Sequence, residues 1–253
     1  MTQRGIQSIE VGGRLLLALA ERGRPLALKD LALAAGMSPA KAHPYLVSFG
    51  KLGLIVQDGS IGHYGLGPLA LQLGLISLQQ YEPVRLATAR LPDLAQAIQQ
   101  TVAIAVWGTH GPTIVRTEEA PSPVHVTMRH GAVMSLRGTA SGRLFAAHLP
   151  REVVKAVVKA ALGKGAGPAI FDKAFEQELA AIRAAGFSHA VDSAVPGVSG
   201  LAAPVFDATG ALLLSLTAIG ATASFDTRAT AVAARTLKRC AAELTAQLGA
   251  PSA

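Results

Sequence analysis

Apolar residues from Ile9 to Leu19 recur at helical spacing, and the run stops at Glu21-Arg22-Gly23-Arg24-Pro25, charge then glycine then proline, as a helix end requires. The spacing predicts a first helix over Ile9 to Glu21. Leu28, Leu31, Ala32 and Ala35 form one stripe of a short second helix, and Gly36 stands where a left-handed C-cap belongs. Ser38 and Pro39 read as the N-cap and first residue of a third. Helix, glycine turn and capped helix make the helix-turn-helix pattern. The stretch "GLIVQDGSIGHYGLG" then alternates apolar and polar positions around Asp58-Gly59 and Ser60, which predicts two short strands and a turn. The expected unit is a winged helix-turn-helix.

One residue disturbs this pattern. With Ser38 as N-cap, Pro44 falls inside the third helix, where it removes the bond to the carbonyl of Ala40 and clashes with it, at about 3 kcal/mol for a straight helix. A kink or an offset first turn is expected. The N-terminal part, Ser38 to His43, is the part that enters a major groove, and it keeps Lys41 and His43. Tyr45, Leu46, Phe49 and Leu52 continue as a stripe toward the core.

The rest of the chain reads as a second domain. Pro68 to Tyr81 is mainly apolar and predicts a linker helix; Arg85 to Gln100 is amphipathic and predicts the domain's opening helix. Strands are expected at Val102 to Trp107, Thr113 to Glu119 and Val124 to Met128, with His110-Gly111-Pro112 as a turn. Helices follow at Ala140 to His148, Arg151 to Ala161 and Lys173 to Ala184. Paired strands are expected around Gly200 to Phe206 and Ala211 to Ile219, before a closing helix from Thr227 to Leu248. One sheet with helices on its flanks makes an α+β domain. The expected division is residues 1–67 for the winged helix, 68–82 for the linker and 83–253 for the second domain.

Composition narrows the class. Half of the 253 residues are hydrophobic and 15% are charged, the balance of a globular protein. A single cysteine, Cys240, excludes an internal disulfide framework, and the start MTQRGIQSIE lacks the pattern of a secretory signal, so the expected compartment is the cytoplasm. The longest apolar run, Ala211 to Ala221, falls short of the roughly 18 residues of a membrane span and reads as a buried strand; no membrane partner is expected. The net charge is +7, and the first 66 residues hold seven Lys or Arg against four Asp or Glu. The higher charge density thus sits where a nucleic-acid partner would need it.

Enzyme chemistry finds little purchase. "PGVSGLA" approaches a nucleophile elbow at Ser199 but lacks the final glycine and precedes a strand, where that motif turns into a helix. The histidines show no H-E-x-x-H spacing, Cys240 fits a small apolar position on a helix, and the glycine-rich "LGKGAGP" lacks the phosphate-loop pattern. Neither cofactor nor metal is expected. "RGTASGR", residues 137–143, is the stretch with binding chemistry: a small-residue turn entering a helix exposes the N–H groups of Ala140, Ser141 and Gly142 to a carboxylate, with hydroxyls from Thr139 and Ser141.

"LKDLALAAGMSPAKAHPYLVSFGKLGLIVQD", "YGLGPLALQLG", "MSLRGTASGRLFAAHLP" and "AAGFSHAVDSAVPGVSGLAAPVFDATGALLLSLTAIG" together resemble the IclR family of bacterial transcriptional regulators through nearly the whole chain. The resemblance implies an N-terminal winged helix and a C-terminal GAF-like effector domain. It implies homodimers, often tetramers, that bind palindromic operators and respond to a small molecule, commonly an organic acid. Three positions depart from the family pattern. Pro44 stands where arginine is usual; Ser135-Leu136-Arg137 replaces Pro-Leu-His; Ala190-Val191-Asp192-Ser193 replaces an acidic cluster and leaves one carboxylate, which favours an anionic effector.

The DNA-contacting set expected on this reading is Arg24, Ser38, Pro39, Lys41, His43, Tyr45, Lys51, Ser60 and His63. Lys41 and His43 approach base edges, while Arg24, Lys51 and the wing lie near phosphates; Tyr45, with Phe49, also fits the core. The effector set is Trp107, Met128 and Met134 as apolar wall, Thr139, Ala140, Ser141 and Gly142 at the turn, and His130, His189 and Thr217 as polar groups. The apolar wall leans toward an aromatic carboxylate. The alternative is a small-molecule binding protein or enzyme that retains a non-functional winged helix.

Overall fold

The computed structural model describes residues 5–120, 126–162 and 170–249, and the chain divides into two compact units, one ending at Tyr81 and the other starting at Glu82.

The first unit opens with α1 (Gln7–Arg22), which ends at Gly23 in the left-handed region (φ +60°), its N–H bonded to the carbonyl of Leu19. α2 (Leu28–Ala34) follows, and Gly36 (φ +66°) turns the chain into α3 (Pro39–Lys51). Ser38 caps α3, its Oγ accepting from the N–H of Lys41 at 3.3 Å. The helix is continuous through Pro44. Ala42 and Leu46, on either side of the proline, lie in a core with Leu15, Leu19, Leu31, Ile55 and Tyr64, and burial of that face holds the helix together across the missing bond. Leu52 does not join this core: α3 ends at Lys51, the helical period ends with it, and Leu52 is 61% exposed.

The wing consists of β1 (Ile55–Gln57) and β2 (Tyr64–Leu66), paired antiparallel, with Tyr64 also bridged to Leu26. Its loop turns over residues 59–61, where the sequence placed it, and Gly62 (φ +69°) leads the chain back toward β2. α4 (Pro68–Gln80) completes the unit and leaves Leu71, Leu73, Leu75 and Ile76 exposed.

In the second unit the amphipathic stretch expected as one helix is two, α5 (Glu82–Thr88) and α6 (Leu91–Ile98). Pro92 has no N–H to offer the carbonyl of Thr88, so the first helix stops and the proline starts the next. Then come β3 (Thr101–Gly108), β4 (Gly111–Glu118), α7 (Ala140–His148), α8 (Arg151–Leu162), α9 (Lys173–Ala185), β5 (Ser188–Val191), β6 (Val198–Phe206), β7 (Leu212–Ala221) and α10 (Val232–Gln247). The strands form one antiparallel sheet in the order β4-β3-β7-β6-β5. β3 is buried at every position from Thr101 to Ala105, because both faces are covered: α7, with α9 behind it, on one, and α5, α6 and α10 on the other.

Three expectations change here. β5, four residues long and paired with β6, was not anticipated. Of the strand expected at Val124 to Met128, residues 124 and 125 lie outside the described residues and 126–128 form no strand. α10 begins at Val232, not Thr227, because the Asp226 carboxylate accepts from the backbone N–H and the guanidinium of Arg228 and holds that turn out of the helix.

Candidate functional site

Two surfaces carry candidate chemistry. On α3, Ala42 and Leu46 face inward; Tyr45 and Phe49 are half-buried against α1, where a Cβ on Gly12 would lie 2.8 Å from the Tyr45 ring. Tyr45, placed among the DNA-contacting residues from sequence, therefore has its ring in packing. Lys41, His43 and Lys51 are exposed on the helix, as is Arg24 after α1. Ser38 is exposed too, and because its Oγ accepts the capping bond its proton stays free to donate. In the wing, the hydroxyl and amide of Ser60 both donate to the Asp58 carboxylate, at 2.5 and 2.7 Å. Those bonds, the hydroxyl's foremost, hold the Asp58 carboxyl below its usual range. Ser60 thus spends its proton on a neighbour, and the wing tip bears a negative charge. His63 is half-buried beside it.

The second surface is a cavity of about 250 Å³ at the N-terminus of α7. Its wall is built from Val126 to Met128, Met134, the turn Gly138 to Ser141, the β5–β6 connection (Ala194, Val195) and the strand residues Ala190, Val198, Ser199, Gly200, Thr217 and Ile219. No charged side chain is among these lining residues. Thr139 caps α7, its Oγ1 accepting from the N–H of Gly142 at 3.0 Å while donating to the carbonyl of Ser135 at 2.7 Å. The Gly142 N–H is therefore committed, and only those of Ala140 and Ser141 remain at the wall without an intrahelical acceptor. Gly142 serves the turn differently: a Cβ there would come within 2.0 Å of the Ser135 oxygen, so only glycine lets the two segments meet. Beside the helix start, Ser141 Oγ lies 2.7 Å from Thr217 Oγ1, which lies 3.2 Å from Ser215 Oγ, a buried chain of hydroxyls able to donate or accept.

Of the residues chosen from sequence, Met128, Met134, Thr139, Ala140, Ser141 and Thr217 come together at this wall. Trp107, His130, Gly142 and His189 do not. Trp107 packs its ring 5.7 Å from that of Phe145; exposed His130 pairs with Thr117 at 3.2 Å; exposed His189 lies 6.1 Å from the Phe187 ring. Missed from sequence were Ala190, Ala194, Val195, Val198, Gly200 and Ile219, small or aliphatic residues with no chemical signature.

The wall is braced by Arg143. Its guanidinium donates to the carbonyl of Arg137 at 2.6 Å, the carbonyl of His189 at 3.2 Å and the hydroxyl of Ser193 at 3.1 Å, and pairs with Glu178 on α9 at 2.6 Å. One side chain thus ties the 137–141 turn to the 189–195 segment across the cavity. Asp192, the one carboxylate left of the acidic cluster, is a second brace: in the left-handed region (φ +50°), it accepts from the N–H of Gly197 and the hydroxyl of Thr222, both at 2.8 Å. Since Thr222 gives its proton to Asp192, Ser199, 2.9 Å away, must donate to Thr222, a hydroxyl that is no general base and so does not activate the serine.

Other sequence features stay chemically quiet. Among the described residues no group of His, Cys, Asp or Glu is placed to hold a metal ion, and no helix is long and apolar enough to cross a membrane. Burial pushes the half-buried Cys240 thiol up, which leaves it protonated. Residues 163–168 of "LGKGAGP" lie outside the described residues.

Known proteins match both units. The model of the IclR helix-turn-helix domain matches residues 8–59, and that of the bacterial transcriptional regulator IclR C-terminal domain matches residues 76–246. The glycerol operon regulatory protein of Streptomyces coelicolor is 30% identical over 207 residues, 81% of this chain and 80% of that one. The crystal structure of Pseudomonas aeruginosa HmgR is 35% identical, covers 98% of this chain and 100% of its own, and superposes with a TM-score of 0.62. An IclR homolog from Microbacterium hydrocarbonoxydans, crystallised with 4-hydroxybenzoate, is 19% identical with a TM-score of 0.75 over 95% of this chain and 98% of that one, and shares the fold. With both domain models matched in order, and relatives at this identity along most of its length, the chain belongs to the IclR family of bacterial transcriptional regulators: a DNA-binding protein with a C-terminal ligand-binding domain, and not an enzyme.

Proposed function

We propose that this protein is a regulator whose promoter binding is set by a small organic acid held in the cavity at the start of α7, with an aromatic carboxylate the preferred class. The observation that carries this is the cavity itself: a wall of Met128, Met134, Val198 and Ile219, interrupted by the free N–H groups of Ala140 and Ser141 and the Ser141–Thr217 hydroxyls. The N–H groups and the helix dipole offer an anion partial positive charge without a buried cation. A volume of about 250 Å³ is at the small end of ligand pockets, which suits one ring or a short chain. The relative with 4-hydroxybenzoate is an example of such an acid on this fold.

On the DNA side, Lys41 and His43 approach base edges while Ser38, Lys51 and Arg24 meet phosphates. The chain acts in the cytoplasm as a homodimer or a tetramer built from dimers, which would cover the exposed Ile6, Ile9 and Leu17 of its first segment and the leucines of α4. The acid regulates only if it binds the DNA-competent and incompetent arrangements with different affinity, and about 1–3 kcal/mol of coupling makes a switch.

The test is an anisotropy titration on the DNA adjoining its gene, repeated with aromatic and aliphatic carboxylates. The expected result is salt-sensitive, sequence-selective binding that one acid shifts, with Ser141→Ala weakening that acid's effect. Selective DNA binding indifferent to every acid, with no acid raising the melting temperature, would refute the effector assignment.

A further inference from the structure

The groove-facing side of α3 is apolar along its centre. At 3.6 residues per turn, the residues opposite buried Ala42 and Leu46 are Ala40, Pro44 and Val47, followed by Lys51 at the C-terminal end. All four are exposed, Val47 by 44%. Lys41 and His43 stand on opposite flanks of this strip. Ser48, beside it, gives its hydroxyl proton to the carbonyl of Pro44 at 3.0 Å and so reads nothing as a donor.

The centre of the strip, Ala40, Pro44 and Val47, has no side-chain donor or acceptor with which to make the bidentate pairs that select guanine or adenine. It can bury methyl groups, and the base-edge methyl that the major groove of unmodified DNA displays is that of thymine. Lys51 at the end of the strip and exposed Arg24 on the same unit supply charge for a phosphate backbone and argue against an apolar protein partner. We propose that α3 selects its half-site chiefly by packing thymine methyl groups on Ala40, Pro44 and Val47, with adjacent thymines under the centre of the helix. Pro44 is then a specificity-determining residue: its ring replaces a polar contact with an apolar one. This rests on α3 entering the major groove.

The experiment uses the full chain. Duplexes enriched from a random library identify the half-site, and each of its thymines is then replaced in turn by deoxyuridine, which lacks only the methyl. The expected result is enrichment of adjacent thymines and a loss of about fourfold in affinity for each contacted methyl, with an unchanged salt slope. Val47→Ala, on an exposed position that does not burden folding, should shrink the penalty at one of these thymines and leave the others. Enrichment of a half-site that binds equally well with uracil overturns the methyl readout while leaving DNA recognition intact. No enrichment of any sequence overturns both.

Discussion

Replacing Arg143 with methionine keeps much of the side chain's bulk and removes its guanidinium from the cavity brace. Three hydrogen bonds are lost, to the Arg137 and His189 carbonyls and the Ser193 hydroxyl, each worth about 0.5–1.5 kcal/mol net. The pair with Glu178, whose side chain is 39% exposed, adds no more than about 1 kcal/mol after screening. The second unit should lose about 2–4 kcal/mol, and with it about 5–15 °C in Tm for a unit of this size. Urea unfolding followed by Trp107 fluorescence measures this directly, since the single tryptophan packs on Phe145 of α7, two residues from Arg143, and reports the second unit alone. Arg143→Lys keeps the charge near Glu178 but has no planar fork to span three acceptors, and should recover about 1 kcal/mol at most. A loss below about 0.5 kcal/mol in the methionine variant, or full recovery by lysine, would refute the brace.

Three further outcomes follow from the same geometry. Gly142→Ala puts a Cβ within 2.0 Å of the Ser135 oxygen and should cost more than about 3 kcal/mol, read as loss of soluble protein or collapse of the second unit's melting temperature. Pro44→Ala restores an N–H to the Ala40 carbonyl without disturbing the buried face of α3, and should stabilise the first unit by up to about 3 kcal/mol, read as slower amide exchange at Ala42 and Leu46. His148 is held below its usual pKa of 6.5 by burial first and by Arg183 second. As pH falls through the ordinary histidine range, the unfolded chain takes up a proton that the folded chain refuses, so stability drops with acidification until the depressed folded pKa is reached. His148→Phe should flatten that part of the stability profile, and an unchanged slope would show that another group dominates.

The short-range features of the first unit were legible because their causes are local. Ser38-Pro39 caps α3 through a bond to Lys41 three residues on, and Gly36 turns the chain by its own backbone freedom. Pro92, equally local, was overlooked, and its missing N–H divides a helix that amphipathic spacing alone would have continued. The short edge strand β5 carried too few residues to announce itself. At the cavity, the α7 turn and its hydroxyls were visible because small and polar residues cluster there in sequence. Trp107, His130 and His189 attracted attention by chemistry alone, and the structure gives them to packing or to the exterior.

Sequence alone therefore determined the two-part organisation, the capped third helix with its proline, the α+β class and the family, since periodicity, caps and turns act over a few residues and motif order is a property of the chain. Which residues wall the cavity was decided by the tertiary structure. Antiparallel pairing sets Gly200 beside Ile219, and Arg143 reaches His189 and Ser193, 46 and 50 residues away. Such partners are selected by sheet register and by the volume left between α7 and the strands, neither of which is encoded in any one segment.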